Sequence, residues 1–249
     1  MVVTFRALLA GALRDRISLF WSVAVPLLLL LVLGSLFPEP AYRRNLVLGL
    51  VAFGSLSFAM SGTGFEVMRQ RGRGVYKLLR ATPFPVAGFV GLLAGARGLI
   101  TLVGAMLVAG VGSAVHGIDW TPGGILLALP VLAAGTACFT CLGFVLGNLG
   151  DNENQVAMYN NLFLLPQMFG SEMFYSLDGA PGWVAAVSRW LPAGRFIDAL
   201  RAAAGGDGAA LVPSLLVLLA MTVLILGLAA ATFRWDPGDR RHLPALRRA

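Results

Sequence analysis

The feature that most constrains this chain is a set of six apolar runs, each of 20 to 23 residues. A helix rises about 1.5 Å per residue, so roughly 20 residues match the hydrocarbon core of a bilayer, about 30 Å thick. Lipid offers no hydrogen-bond partners, and no run shows the alternation of a barrel strand. The sequence therefore predicts an all-α integral membrane protein with six transmembrane helices, at residues 17–37, 46–65, 98–118, 124–146, 155–174 and 211–233.

Composition excludes an ordinary water-soluble domain. Hydrophobic residues make up 57% of the 249 residues and charged residues only 12%, which leaves too little polar surface to face water. Residues 1–236 are predicted to form a single transmembrane domain. Residues 237–249 are predicted to form a basic cytoplasmic tail.

The distribution of basic residues predicts the orientation. With six spans, 14 of the 19 Lys and Arg lie on the side of the N-terminus, and cytoplasmic loops carry the excess of basic residues in membrane proteins. Both termini are therefore predicted to be cytoplasmic. Arginine outnumbers lysine 18 to 1, which suggests a GC-rich bacterial gene and hence a bacterial inner membrane. The excess of basic residues behind the net charge of +7 lies on the predicted cytoplasmic side. Topology therefore accounts for the charge, and no nucleic-acid partner is predicted.

Two connections between the spans are long. The first, residues 66–96, is predicted to be cytoplasmic, and Pro83 and Pro85 end any helix that runs through 75–81. A short helix that is basic on one side and apolar on the other suits docking to a soluble partner. The alternative is a basic loop that contacts anionic lipid headgroups.

The second long connection, residues 175–210, is predicted to lie outside. Trp183 and Trp190 suit a segment at the outer interface, where indole side chains are favoured. We expect a re-entrant or interfacial helical hairpin there. Residues 2–13 carry apolar side chains against Arg6 and predict a short helix lying in the inner interface.

The fifth predicted span is the least apolar. Asn160, Gln167 and Ser171 share one helical stripe, and Asn161 and Glu172 run beside it. Polar groups at membrane depth cost free energy unless they face protein or a wet cavity. The stripe thus predicts either hydrogen bonding between helices or one wall of a translocation pathway, with Glu172 near its outer end.

The sequence lacks the residues needed for nucleotide binding, zinc binding or triad catalysis. A phosphate-binding loop needs a lysine after glycine, but the only lysine, Lys77, follows Tyr76. No zinc-binding motif or catalytic triad is present in the sequence. Cys138 and Cys141 lie within an apolar span and are interpreted as packing residues. The sequence therefore predicts no catalytic residue, no metal and no cofactor bound by this chain.

Three stretches carry motifs with a characteristic order along the chain. The fifth predicted span has an N-x(n)-P pattern at Asn161 and Pro166. The predicted cytoplasmic element after the second span has the residues Glu66, Arg71, Gly74, Leu78, Leu79, Thr82 and Pro83. The predicted external segment has Pro181, Gly182, Trp183, Leu191, Pro192, Ala199, Leu200 and Arg201. These motifs resemble those of the type-2 ATP-binding-cassette exporter permeases, and the resemblance covers nearly the whole chain.

The resemblance implies an export permease without its own ATPase site. It would pair with a second permease chain, a homodimer rather than a heterodimer, and dock two ATPase subunits that hold ATP and Mg. Residues 73–83 would be the coupling helix. The residues implied in docking or coupling are Glu66, Arg71, Arg73, Gly74, Tyr76, Lys77, Leu78, Arg80, Thr82 and Pro83. Those implied to line the pathway are Phe58, Asn160, Asn161, Gln167, Ser171 and Glu172.

Glu172 departs from the family pattern, which has a small apolar turn there. Our hypothesis is that Glu172 interacts with a cationic or proton-coupled group on the outward path.

Three other functions stay open on the sequence alone: a secondary transporter or channel, a membrane-anchored enzyme, and a structural component of a larger complex. An ATPase that co-purifies with the chain would distinguish the exporter from the first, and turnover by the isolated chain would indicate the second. Loss of transport with intact assembly, when the basic loop is altered, would argue against the third.

Overall fold

The computed structural model describes residues 2–74, 76, 86–118, 120–175 and 181–233, and all regular secondary structure in that part of the chain is helical. The helices are α1 Val2–Arg14, α2 Arg16–Leu36, α3 Pro40–Leu56, α4 Gly62–Gly72, α5 Val86–His116, α6 Pro122–Leu149, α7 Glu153–Gly170, α8 Gly182–Trp190, α9 Pro192–Gly205 and α10 Gly208–Ala231. A π-helical turn, Ser57–Ser61, joins α3 to α4 without a break.

Among the described residues, five helical segments are long and apolar enough to cross a membrane. They lie in α2, in the continuous helix α3–α4, and in α5, α6 and α10. The remaining predicted span, 155–174, corresponds to α7, which has 18 residues and many polar side chains. An all-helical membrane fold is thus observed, while the sixth crossing stays a prediction.

The second span is longer than its apolar run. It extends from Pro40 to Gly72, 33 residues, rather than over 46–65. Pro40 occupies the first helical turn, where its missing N–H costs no hydrogen bond. At the other end Gly74 has a φ of +73°, and this left-handed conformation, which glycine adopts without strain, ends the helix.

The third long helix begins at Val86, twelve residues before the predicted start of the span at 98. Arg97 interrupts the apolar run, which displaced the predicted boundary. In the structure the helix continues through Arg97, whose side chain is buried inside the bundle. The charged residue breaks the hydropathy pattern without breaking the helix.

The α6 helix lies at the centre and packs against α10, α9, α5 and α4. Its glycines allow close approach on one face. A Cβ atom at Gly143 would collide with the carbonyl oxygen of Met60, and one at Gly147 would lie 2.6 Å from the carbonyl oxygen of Gly64. Two glycines four residues apart are a common device for close helix packing in membranes, where dispersion contacts replace the hydrophobic effect.

Both predicted accessory segments contain helices. The α1 helix covers the predicted 2–13 segment and packs against α5. The outer connection contains α8 and α9, which meet at Leu191 and Pro192. Trp183 and Trp190 on α8 are 70% and 80% exposed. The placement of these helices relative to the bilayer remains a prediction.

Candidate coupling segment and translocation pathway

An ionic cluster joins α4 to the turn between α1 and α2. Glu66 accepts hydrogen bonds from Arg69 at 2.8 Å and from Gln70 at 2.6 Å. Arg69 also lies 3.3 Å from the carboxylate of Asp15, in the turn between α1 and α2. Glu66 was predicted as a docking residue, and here it joins the network that fixes α4. Asp15 was missed because it belongs to no motif.

Arg71 is 3% exposed, although it was predicted within a basic docking surface. Its guanidinium donates to the carbonyl oxygen of Asn148 at 3.1 Å and to that of Gly150. The last carbonyls of a helix lack partners within the helix, and a cation is favoured there. Arg71 therefore fastens the end of α4 to the end of α6.

Arg73 is exposed and follows directly on α4, ahead of the left-handed Gly74. The predicted coupling residues Lys77, Leu78, Arg80, Thr82 and Pro83 lie outside the described residues. In the segment after α4, the first exposed basic residue that the structure describes is thus Arg73, two residues after the buried Arg71.

Tyr76 is fully buried, which the sequence did not indicate. Its ring lies 5.8 Å from that of Phe89 on α5 and 5.3 Å from that of Phe233 after α10. Phe144 on α6 completes the cluster, stacked on Phe233 at 5.7 Å. Burial raises the pKa of the Tyr76 phenol well above its usual value, so the group stays neutral. Tyr76 therefore anchors the start of the candidate coupling segment to α5 and to the end of α10, and the same cluster extends to α6.

The polar stripe of α7 faces the bundle. Asn160 and Gln167 are each 3% exposed and Ser171 is 1% exposed. The Gln167 side-chain oxygen accepts a hydrogen bond from the backbone N–H of Ala193 on α9 at 2.9 Å, and the Ser171 hydroxyl donates to the carbonyl of Gln167. The Gln167 contact is a hydrogen bond between helices, one of the two arrangements that the sequence predicted for the stripe, whereas the Ser171 bond lies within the end of α7.

Asn160 differs from its neighbours on the stripe. Its amide lies against Gly64 of α4, and neither the nitrogen nor the oxygen has a hydrogen-bond partner within the part of the chain described. A buried amide without partners costs free energy. The contact between α7 and α4 is therefore the least satisfied polar contact of the stripe.

Asn161 lies beside this stripe, at the edge of the exposed side of α7. Met158, Leu162, Leu165 and Phe169 accompany it along the helix, with exposures of 49% to 63%. This mixed face is the part of α7 open to a pathway or to another chain.

Glu172 lies just beyond α7 in a left-handed conformation, φ +54°, that is unfavourable for a residue with a side chain. Arg201 of α9 holds it there with one donor 2.5 Å from the carboxylate and another 3.1 Å from the Glu172 carbonyl. The pair lines a cavity of about 310 Å³, on the side predicted to be external, together with Tyr42, Asn45 and Tyr175. The cation beside Glu172 in this structure is thus supplied by the chain itself.

Phe58 is 2% exposed and sits within the π-helical turn of the second span. Its ring lies beneath the guanidinium of Arg97, and the guanidinium carbon Cζ is 5.0 Å from the ring centre. Of the six predicted pathway residues, only Asn161 is exposed. The structure does not bring Phe58, Asn161 and Glu172 together at one surface.

The described helices define a polytopic membrane protein, with five segments of spanning length around a central glycine-lined helix. Residues 1–204 match the model of the ABC-2 type transporter family. The chain belongs to this family of membrane permeases, as the resemblance in the coupling and external segments implied.

Two curated relatives carry the name Nodulation protein J. The protein from Rhizobium leguminosarum bv. trifolii is 27% identical over 164 residues, and that from Rhizobium meliloti (strain 1021) is 28% identical over 168 residues. Each match covers 65% of this chain and 61% of the relative. The chain thus spans about three fifths of the length of these relatives.

Proposed function

We propose that this chain is the permease subunit of an ATP-driven exporter and works with two separate ATPase subunits. Family membership supports a membrane transport role. The observation that carries the coupling role is the contrast at the end of α4: Arg71 and Tyr76 are buried in the bundle, while Arg73 between them is exposed. A segment anchored in this way transmits a push from outside to three transmembrane helices.

ATP and Mg bind to the partner subunits in this proposal. Their closure on nucleotide moves the segment 73–83, and the permease bundle alternates between inward-facing and outward-facing states. A ligand shifts such an equilibrium only through contacts that differ between the two states. The exposed Arg73 is suited to such a contact, because it follows directly on α4 and lies between Arg71 and Tyr76, which are both buried in the bundle.

We also propose that two copies of the permease pair through the exposed face of α7. This face carries Asn161 among apolar side chains. A buried position against a second chain or a wet pathway lowers the cost of the amide relative to lipid. Of the predicted pathway residues, Asn161 is therefore the best placed in the single chain to contact a pathway or a second permease.

Purification of the tagged chain from its native cells in mild detergent tests the proposal. We expect a soluble ATPase at one copy per permease, lost when Arg73, Lys77 and Arg80 are replaced by Glu. Arg189→Glu, an exposed arginine in the outer connection, is the matched control and should retain the ATPase. A chain that purifies alone, under conditions that preserve other complexes of this kind, would contradict the proposal.

The proposed orientation has both termini in the cytoplasm. In intact cells, a membrane-impermeant thiol reagent should label Arg189→Cys and leave Arg6→Cys unlabelled until the membrane is opened. The reverse pattern would overturn the orientation. Cys138 and Cys141 are buried and add little background.

A further inference from the structure

The second span is jointed at the π-helical turn Ser57–Ser61. A π turn widens the helix by one residue, is rare, and is frequent at functional sites. The turn separates an outer half, α3, from an inner half, α4, which leads to the coupling segment. Phe58, Ala59 and Met60 within it are all buried, so the middle of the joint is enclosed by protein.

Arg97 of α5 bridges this joint. Its guanidinium donates through Nη1 to the carbonyl of Phe58 at 3.1 Å and through Nη2 to the carbonyl of Gly62 at 2.9 Å. The two acceptors lie near the start of the turn and just beyond its end. The planar fork of arginine suits two acceptors at once, which a lysine ammonium does not reproduce.

Two neighbouring residues fit this contact. The ring of Phe58 lies beneath the guanidinium at 5.0 Å, a cation–π geometry. At Gly62 a Cβ atom would collide with the Arg97 guanidinium, so glycine makes room for it.

Arg97 is 1% exposed, and a buried charge is retained at a cost. Its Nε has no protein partner in the described part of the chain. Arg97 also lines a cavity of about 220 Å³ together with Glu66 and Gln70, which is large enough to hold water. The protein contacts of the Arg97 guanidinium described here are thus all with residues of the joint, Phe58 and Gly62.

We propose that Arg97 is a positioning residue that clamps the joint of the second span, fixing the angle between α3 and α4 and the place of Phe58. The clamp follows from the contacts alone. Its part in transport rests on the proposed function, because α4 carries the coupling segment and Phe58 is a predicted pathway residue.

Hydrogen–deuterium exchange of the full chain in lipid nanodiscs tests the clamp directly. In Arg97→Met we expect amides of residues 57–66 to exchange about tenfold faster or more, because the joint opens once its charged donors are gone. Arg97→Lys should lie between Arg97→Met and the wild type. Phe58→Leu, which removes the ring and keeps the backbone carbonyls, should produce a smaller change than Arg97→Met.

Arg6→Met is the control, since Arg6 is an exposed arginine on α1, and it should leave exchange at 57–66 unchanged. Unchanged exchange in Arg97→Met would overturn the clamp. An equal acceleration in α10 would also overturn it, because that result indicates general loosening. If Arg97→Met does not fold, Gly62→Ala, which crowds the guanidinium, and Arg97→Lys decide the question by the same criterion.

A second measurement separates the clamp from the proposed function. In the complex, Arg97→Met should keep the ATPase bound. Hydrogen–deuterium exchange at 57–66 should change on nucleotide binding in the wild type and change little in Arg97→Met. If Arg97→Met responds to nucleotide like the wild type, the transport role of the clamp is wrong. If no ATPase accompanies the wild type, the proposed function fails while the exchange results still decide the clamp.

Discussion

At the scale of single residues, neighbouring arginines have different roles in this chain. Arg71 is buried and bonded to the end of α6, whereas Arg73 is exposed at the start of the proposed coupling segment. Arg97 is buried against the π-helical turn. The hydrogen bonds of a buried arginine determine its role, and these are formed with backbone carbonyls from distant parts of the chain.

Replacement of Arg71 should destabilise the fold. Arg71→Met removes two charge-assisted hydrogen bonds at the end of α6, a loss of about 2–4 kcal/mol. We expect the midpoint of thermal unfolding in detergent to fall by roughly 5–10 °C. Arg73→Met, an exposed arginine two residues away, is the matched control and should change the midpoint by less than about 2 °C. Equal midpoints for the two variants would show that the Arg71 contacts contribute nothing.

The pair Glu172–Arg201 makes a second prediction at this scale. Both side chains are 28% exposed, so their interaction should exceed that of a fully solvated pair and amount to about 1 kcal/mol in a double-mutant cycle of Glu172→Gln and Arg201→Gln. The reversed pair, Glu172→Arg with Arg201→Glu, should recover part of the stability that either reversal alone loses. Additive single effects would show that the two charges act independently.

The same variants test the hypothesis that Glu172 serves the outward path. Glu172→Gln should reduce transport if the carboxylate meets a cationic or proton-coupled group there. Unchanged transport together with lowered stability would leave Glu172 with a structural role, as the partner of Arg201 at the end of α7.

At the scale of elements, α6 organises the bundle because its glycine face accepts the joint of the second span. Met60 and Gly64, on either side of the end of the π-helical turn, contact Gly143 and Gly147 through their backbone carbonyls. Helix backbones approach this closely only where no side chain intervenes. The path of the second span is thus determined by α6 on one side and by Arg97 on the other.

This contact predicts an asymmetry between glycines. Gly143→Ala should lower stability by about 1–3 kcal/mol, since the added Cβ meets backbone, which no side-chain rotation relieves. Gly110→Ala on α5 adds its Cβ into open space and should be neutral or stabilising, as alanine is favoured over glycine within helices. Thermal unfolding of the two variants in the same detergent measures the difference. A Gly143→Ala protein as stable as the Gly110→Ala protein would contradict the close approach.

At the scale of the whole molecule, the long helices of the described part of the chain have a largely apolar exterior. Exposed apolar side chains cover α2, α5 and α10, as lipid requires. The exposed face of α7 is mixed because it carries Asn161 among apolar side chains, and the proposed permease pair explains it. The polar stripe with Asn160, Gln167 and Ser171 is directed inward and is enclosed within the single chain.

Cross-linking tests the proposed pair. Leu162→Cys lies on the exposed face of α7, and Leu224→Cys on α10 is similarly exposed, at 63% and 73% for the native side chains. In native membranes, a short bifunctional thiol reagent should convert Leu162→Cys to a homodimer and leave Leu224→Cys monomeric. A product of Leu162→Cys with a different chain would indicate a heterodimer. Cross-linking at Leu224 alone would place the interface elsewhere.

Much of the architecture was predictable because hydrophobic runs of spanning length have few structural solutions. The helices of the five spans, the accessory helices at the N-terminus and in the outer connection, and the family itself all follow from local patterns. The boundaries were less accurate: the second span extends from Pro40 to Gly72, and α5 begins at Val86. A polar side chain such as Arg97 breaks a hydropathy pattern whether or not it breaks the helix.

The sequence alone determined that the chain lies in lipid, that it is helical, and which segments are candidates for coupling and for the pathway. These properties depend on composition, periodicity and short motifs. Only the tertiary structure decided which polar groups are buried and with what they pair. Arg71, Tyr76 and Arg97 are enclosed, Arg73 is exposed, and Glu172 is joined to Arg201. Their partners come from segments distant in sequence, through contacts that carry no local signature. The π-helical turn likewise depends on Arg97 and the glycines of α6, because a wide turn is retained only where surrounding groups satisfy it.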